Sequence, residues 1–299
     1  MTAPTLVLVL AMAMAAMPAY KQPAARQESG APQVFRATTD VVSVDVSVRA
    51  GGTAVTGLNS GDFELLDNGV PQRIEAVAIE EVPVDLTLIL DTSSSTAGVI
   101  ARFKANAQQV ASMLRPDDRV RLITFSSTVT EVFPLQAGTD RLPVESLQAR
   151  GGTALHDALL LALARRPDAG RRQLLVAFTD GVDTTSVVDA ATVASVARRA
   201  ECVLHLVLST GYGTDGGILP PTERSLRAAA EATGGDLYRP GAFGDAVDAF
   251  REVFRDFRQS YVLQYAAQGV ARGGWHEIKV RVTREGRFTI RARKGYAGG

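Results

Sequence analysis

From Val41 the chain alternates strictly, with Val42, Val44, Val46 and Val48 falling on one side and Ser43, Asp45 and Ser47 on the other. A period of two is that of a strand with one buried face. Gly51 and Gly52 then supply a turn. The runs 63–66 and 74–79 flank Asp67, Asn68 and Gly69, and an Asn-Gly pair suits a type I′ turn, so the two runs are expected to pair as a hairpin. Beyond Pro83 the rhythm changes. Continuous apolar runs at 86–90, 120–125, 173–178 and 203–209 alternate with helical spacing at about 99–114, 155–163, 187–200 and 225–232. A second run, 129–133, makes an antiparallel hairpin with 120–125, and Leu237 and Tyr238 form a short last strand. Repeated units of this kind predict an α/β domain, a Rossmann-like open and mostly parallel sheet with helices on both faces.

The next helix, at about 242–258, puts Phe243, Val247, Phe250, Phe254 and Phe257 on one stripe, which reads as core packing. Alternation then returns at Ile278, Val280 and Val282 and, past the Glu285-Gly286 turn, at Phe288, Ile290 and Ala292. So few strands make a poor domain alone. Residues 258–296 are therefore expected to complete, with 34–82, an all-β immunoglobulin-like sandwich into which the α/β domain, 84–256, is inserted.

The first residues are different in kind. An unbroken apolar segment, 6–17, ends in small residues around Pro18 and Ala19, the form of a secretory signal peptide over 1–19, although no Lys or Arg precedes it. A membrane span needs about 20 apolar residues. Residues 20–33 are polar and rich in Gln, Ala and Pro, as in a flexible leader. The only cysteine, Cys202, lies in an apolar strand pattern, which leaves no intramolecular disulfide and no lipid-bearing cysteine after the signal. The expectation is an exported protein, periplasmic or extracellular, with no membrane anchor once the signal is removed. Its 32 basic and 32 acidic residues carry no long run of one sign, so neither nucleic acid nor an anionic membrane is an expected partner.

The candidate chemistry sits where the apolar runs end. Asp91, Thr92, Ser93, Ser94 and Ser95 follow 86–90, and a tight loop there can turn a carboxylate and alternate hydroxyls toward one point. Such a point suits a hard divalent cation, Mg²⁺, Mn²⁺ or Ca²⁺. The same residues also suit a turn that caps the following helix. Two more stretches fall on the same edge, Gly151-Gly152-Thr153 opening a helix and Thr179-Asp180-Gly181 closing a strand, and ligands of open α/β sheets bind outside the carboxyl ends of the strands. Asp91, Ser93, Ser95, Thr153 and Asp180 can therefore converge. Asp183 reads as an exposed turn residue, His156 as structural, and Asp67-Asn68 as a turn rather than a calcium loop. The glycine-rich segment 211–222 should border the same edge.

With DTSSS, GGT and FTDG in this order and on these elements, residues 84–256 resemble a von Willebrand factor type A domain. With the flanks 35–79 and 261–296, the chain resembles the bacterial secreted family related to it that is common in acidobacteria. The resemblance implies a metal-ion-dependent adhesion site in which Ser93, Ser95 and Thr153 hold the ion, most often Mg²⁺, through hydroxyls. Asp91 and Asp180 would act directly or through water, and a protein partner's Glu or Asp would fill the open position. It implies a binding module for adhesion or assembly, not an enzyme. Thr96 stands where many relatives have Met, and no acidic pair follows Ser95, so a second adjacent ion is not expected. Two alternatives compete. A phosphatase-like hydrolase would need an acid where Ser93 stands, and the assembly partners of ATPase complexes are cytosolic, which a signal peptide opposes. GxSxG, HExxH and P-loop patterns are missing from the sequence.

Overall fold

Strands with period two open the chain in the computed structural model, which describes residues 41–79, 82–138, 142–208, 221–239 and 246–298. They are β1 (Val41–Ala50), β2 (Thr53–Ala54), β3 (Phe63–Asp67), β4 (Val70–Gln72) and β5 (Ile74–Ile79). The middle alternates β6 (Val84–Asp91), α1 (Ala97–Ala111), β7 (Arg119–Phe125), β8 (Val129–Ala137), α2 (Leu155–Leu163), β9 (Arg172–Thr179), α3 (Ala190–Ala197), β10 (Val203–Leu208), α4 (Pro221–Ala232), β11 (Leu237–Tyr238) and α5 (Ala246–Arg258). Then follow β12 (Tyr261–Ala266), β13 (Gly274–Val282), β14 (Thr289–Ala292) and β15 (Gly295–Gly298). The expected signal peptide 1–19 and leader 20–33, nearly all of the 211–222 segment, and Phe243 lie outside the described residues.

The middle segment forms a six-stranded sheet of order β11-β10-β9-β6-β7-β8, parallel except at β8. Every residue of β6 and β9 is buried, as central strands covered on both faces require. On one face Leu86, Leu88 and Leu90 pack with Phe103 of α1 and Phe250 and Phe254 of α5. Phe178 joins them, with ring centroids 6.0 Å from Phe103 and 6.4 Å from Phe250. On the other face Ile89, Ile123, Leu175 and Leu204 meet Leu159 of α2, Val193 of α3 and Leu226 of α4. This is the Rossmann-like α/β fold. Because β6 and β9 are neighbours, the loops that follow them leave the same edge side by side. α3 starts later than the spacing suggests: Asp189 accepts from Thr192 N at 2.8 Å and so caps Ala190, and Val187 is left 93% exposed.

The two ends of the chain pair with each other. β1 runs antiparallel to β12 from Val41↔Ala266 to Val46↔Tyr261, in a sheet of order β14-β1-β12-β5 with β2 beside β1. A second antiparallel sheet has the order β15-β13-β3-β4. Val44, Val46, Tyr261, Leu263 and Tyr265 of the first share a buried cluster with Phe63, Leu65 and Ile278 of the second. One expectation is corrected: the turn at Asn68 (φ 47°) and Gly69 (φ 81°) leads from β3 into β4, and β5 crosses to the other sheet to pair with β12. β14, past the Glu285-Gly286 turn, pairs with β1. Alternation fixes which face a strand buries and leaves its partner open.

Residues Thr39–Gly299 form one compact unit. Its two parts are joined by charge. Arg172, the first residue of β9, donates to Asp45 of β1 at 2.6 Å and to Ser260 at 2.5 Å, with its guanidinium 3.9 Å from the Phe257 ring centroid. Asp256 of α5 takes Arg291 of β14 at 2.5 Å and Arg49 of β1 at 2.8 Å. These contacts involve the N-terminal end of β9 and the C-terminal end of α5, so the carboxyl edge of the parallel sheet stays clear of them.

Candidate metal centre

At that edge the chain turns abruptly. Asp91 ends β6 and is 2% exposed; its Oδ1 accepts from Ser93 N at 2.9 Å and its Oδ2 from Thr179 Oγ1 at 2.7 Å. Ser94–Thr96 then make one tight turn before α1. Neither Ser93 nor Thr96 caps that helix with its side chain, which removes the capping-turn reading of this stretch. Instead Thr96 Oγ1 donates back to the carbonyls of Asp91 (2.8 Å) and Ser93 (3.0 Å) and holds the loop closed. Ser93 Oγ lies 3.2 Å from Ser95 Oγ, and Ser95 Oγ donates to Asp180 Oδ2 at 2.6 Å.

The turn at 151–153 is stitched to this loop through backbone. Ser94 N donates to Gly151 O at 3.2 Å and Arg150 N to Thr92 O at 2.8 Å. Both glycines are needed for the turn's close packing against two other loops, those after β7 and β9. A Cβ on Gly151 (φ +78°) would lie 2.7 Å from Ser127 Oγ, and one on Gly152 would lie 2.8 Å from Thr185 Cγ2. Thr153, 4% exposed, exchanges bonds with the loop after β9, its N–H reaching Thr184 Oγ1 at 2.8 Å and its carbonyl accepting Thr184 N at 2.8 Å. The structure thus joins Asp91, Ser93, Ser95 and Asp180 by side-chain contacts or through Thr179. Thr153 belongs to the same loop cluster, but among the described residues no side-chain hydrogen bond links its hydroxyl to the other four.

The donor set fits a hard cation. Oxygen ligands at about 2.1 Å from an octahedral ion sit about 3.0 Å from each other, and the spacings of 3.2 and 2.6 Å along Ser93, Ser95 and Asp180 bracket that edge. Among the described residues no Lys, Arg or His forms a salt bridge with Asp91 or Asp180, and no group of three His, Cys, Asp or Glu side chains forms a rival centre.

The matched family description falls on these elements: residues 85–220 match the family model of the von Willebrand factor type A domain. The chain carries a von Willebrand factor type A domain. A curated relative, bovine inter-alpha-trypsin inhibitor heavy chain H4, is 27% identical over 174 residues, 53% of this chain and 19% of that protein. The chain thus spans about a fifth of that relative's length. Among solved structures, a von Willebrand factor type A protein from Catenulispora acidiphila is 12% identical with a TM-score of 0.47, covering 88% of this chain and 75% of that one. Manganese-loaded TRAP protein from Plasmodium vivax is 17% identical with a TM-score of 0.42, covering 77% and 97%.

Within the type A domain, burial raises the Asp91 carboxyl above its ordinary range, and the nearby Asp180 charge adds to the rise, against the hydrogen bonds from Ser93 and Thr179. Asp183 departs from the expectation of an exposed turn residue. Its side chain is 13% exposed and accepts from His156 N at 3.0 Å and Ser186 Oγ at 2.5 Å, so it ties the loop after β9 to the start of α2. His156 is buried beside it, as a structural residue would be. Sequence reasoning missed Thr179, which orients Asp91, and Thr184 and Ser127, which seat the 151–153 turn: Ser127 Oγ accepts from Gly152 N at 2.9 Å. The hydroxyl immediately before Asp180 was the available signal.

Proposed function

We propose that this chain is an exported protein-binding module, serving adhesion or extracytoplasmic assembly, whose partner contact depends on a divalent cation. Ser93, Ser95 and Thr153 would hold the ion through hydroxyls, and Asp91 and Asp180 through carboxylates, directly or through water. Mg²⁺ is the first candidate, with Mn²⁺ or Ca²⁺ accommodated by the same oxygens. Bound there, the cation supplies a positive centre that attracts an acidic group of a partner protein, a Glu or Asp. The residues of this chain do the rest: Thr96 and Thr179 fix the Asp91 loop, and backbone hydrogen bonds from Ser94 and Arg150 tie the 151–153 turn to it.

The observation that carries the reading is the chain of oxygens from Ser93 through Ser95 to Asp180 beside a buried Asp91 that has no basic partner among the described residues. The module acts by binding, with no catalytic residue assigned. Export rests on the form of residues 1–19, and among the described residues no helix is long and apolar enough to cross a membrane. We read the flanking sheets as an immunoglobulin-like sandwich of the acidobacterial-type secreted family, presenting the type A domain away from its own attachment edge.

Thermal unfolding in EDTA, Mg²⁺, Mn²⁺ or Ca²⁺ tests the site, with Ser95→Ala and Thr153→Ala beside the parent. An ion at about 100 times its dissociation constant stabilises by about 2.7 kcal/mol, a shift of roughly 5–10 °C for this size. The expected result is a shift in the parent that is reduced in both variants. An unshifted parent with every ion overturns the reading.

A further inference from the structure

The arginines toward the opposite edge of the parallel sheet do not balance. Arg119 pairs with Asp85 at 2.5 Å and Asp168 at 2.6 Å, Arg171 with Asp85 at 2.6 Å, and Arg165 with Glu131 at 2.5 Å. Among the described residues no carboxylate forms a salt bridge with Arg121. It is 6% exposed, and its Nε and Nη1 are buried without any hydrogen-bond partner. An unpaired buried charge is among the costliest things a fold can hold. Burial accordingly pulls the Arg121 guanidinium below its ordinary range, with Arg165 adding to the effect and Glu131 and Asp85 opposing it.

The surroundings share the deficit. Arg121 and Thr87 are direct partners in the β6/β7 ladder. Their neighbours along the strands, Leu86, Leu88, Val120 and Leu122, all face the α1/α5 core, so Thr87 and Arg121 face α2, and Gln173 of β9 does so by the same alternation. α2 packs over β6, β7 and β9, and Arg165 lies just past its end. Thr87 Oγ1, Gln173 Oε1 and Arg165 Nε are also buried and unpartnered, at residues of which Thr87 is 1% and Gln173 3% exposed. The C-terminal end of α2 eases the burial of positive charge, but it makes no hydrogen bond to Arg121.

What is left over here is mostly donors: two guanidinium nitrogens of Arg121, Nε of Arg165 and the Thr87 hydroxyl, while the Gln173 amide can turn its nitrogen inward. Water could accept from the guanidinium and donate to Thr87 Oγ1 or Gln173 Oε1, but it brings no charge. A ligand that only accepts, and that carries the one missing negative charge, satisfies it well. We propose that Arg121, Thr87 and Gln173 form a buried site for a small monovalent inorganic anion of chloride size, reached beneath the Arg165–Glu131 pair. That pair is the outer cover, with side chains 35% and 27% exposed. The site is independent of the cation reading and lies within β6 and β7, on the α2 face of the sheet.

The experiment compares thermal unfolding of the full chain in sodium chloride and sodium gluconate at matched ionic strength, and locates bromide by anomalous diffraction in soaked crystals. Chloride should raise the melting temperature saturably and gluconate, being too large, should not. Arg121→Met should abolish the difference, and Thr87→Val, which leaves the charge in place, should raise the half-saturating chloride concentration. The bromide peak should sit between Arg121 and Thr87. Equal curves in the two salts, or an ordered water in place of the bromide peak, overturns the proposal whether or not Arg121→Met folds.

Discussion

Asp91→Asn should make the metal-free protein more stable, although it alters a buried residue. Asp91 is 2% exposed, and its carboxyl is held above its ordinary range chiefly by burial, with the Asp180 charge contributing. An asparagine removes the charge and can keep both contacts. Its oxygen accepts from Ser93 N, now 2.9 Å from Oδ1, and its nitrogen can donate to Thr179 Oγ1, now 2.7 Å from Oδ2. That hydroxyl already accepts from Gly181 N at 3.1 Å and has a second lone pair to offer. What changes is the desolvation and repulsion of one negative charge, set against the buried Thr179 hydroxyl proton, which loses Asp91 as its acceptor.

Each pKa unit by which a folded environment disfavours a charge costs about 1.4 kcal/mol, and ordinary surface substitutions stay within about 0.5 kcal/mol. The reasoning therefore requires a gain in EDTA near neutral pH that exceeds that scatter of about 0.5 kcal/mol, a rise of more than about 1–2 °C. A raised carboxyl binds its proton more tightly in the folded state, so its penalty is absent below the unfolded value of 3.8 and grows as pH rises through the folded one. The advantage of the variant should follow that course, vanishing in acid. Saturating cation should invert the order, because the parent gains about 2.7 kcal/mol at 100 times the dissociation constant and the variant gains little. Differential scanning calorimetry in EDTA across pH decides it: an Asp91→Asn protein less stable than the parent at neutral pH, or an advantage indifferent to pH, refutes the argument.

Asp256→Ala should cost about 1–3 kcal/mol in urea unfolding, because it removes one of the two carboxylates on Arg291, leaving Asp236, and the only carboxylate paired with Arg49 among the described residues. Gly235→Ala should cost about 3 kcal/mol or more by the same assay, since its Cβ would lie 1.8 Å from the Leu204 carbonyl oxygen and strand β10 would have to move. Burial alone would raise Asp85, but hydrogen bonds from Arg119 and Arg171 outweigh it and leave the carboxyl lowered. Its stabilisation is therefore present above 3.8 and is lost as pH falls through the folded value, so Asp85→Asn should flatten the acid limb of the stability curve measured by circular dichroism.

The parallel sheet was legible because its strands are buried on both faces, and such strands appear as unbroken apolar runs: 86–90 and 173–178 sit inside β6 and β9. Asp91, Ser93, Ser95 and Asp180 were legible for a related reason, since a polar cluster that directly ends a buried run has only the sheet edge to occupy. Pairing in the flanks was not legible. Ile74, Val77 and Ile79 state that β5 has a buried side, but only the packed structure decides that β12 is its neighbour rather than β3. Nor does local sequence reveal that Asp256, between the core residues Phe254 and Phe257, faces two arginines, Arg49 and Arg291, that lie about 240 residues apart in sequence.

The balance of 32 basic and 32 acidic residues conceals a polarity that the fold creates. A parallel sheet sends all its central strands out at one edge, and there this chain buries or half-buries Asp91 and Asp180 without a salt-bridge partner among the described residues. Toward the other edge it buries Arg121 with no salt-bridge partner among the described residues and pins its flanks through Arg172 and Asp45. Simple pairing of acids with bases inside one domain would leave neither residue set wanting. On the two readings proposed above each set would be stabilised by a small ion of opposite sign, and the two demands are separately testable, because Asp91 and Asp180 lie on the loops at the carboxyl edge whereas Thr87 and Arg121 lie within β6 and β7.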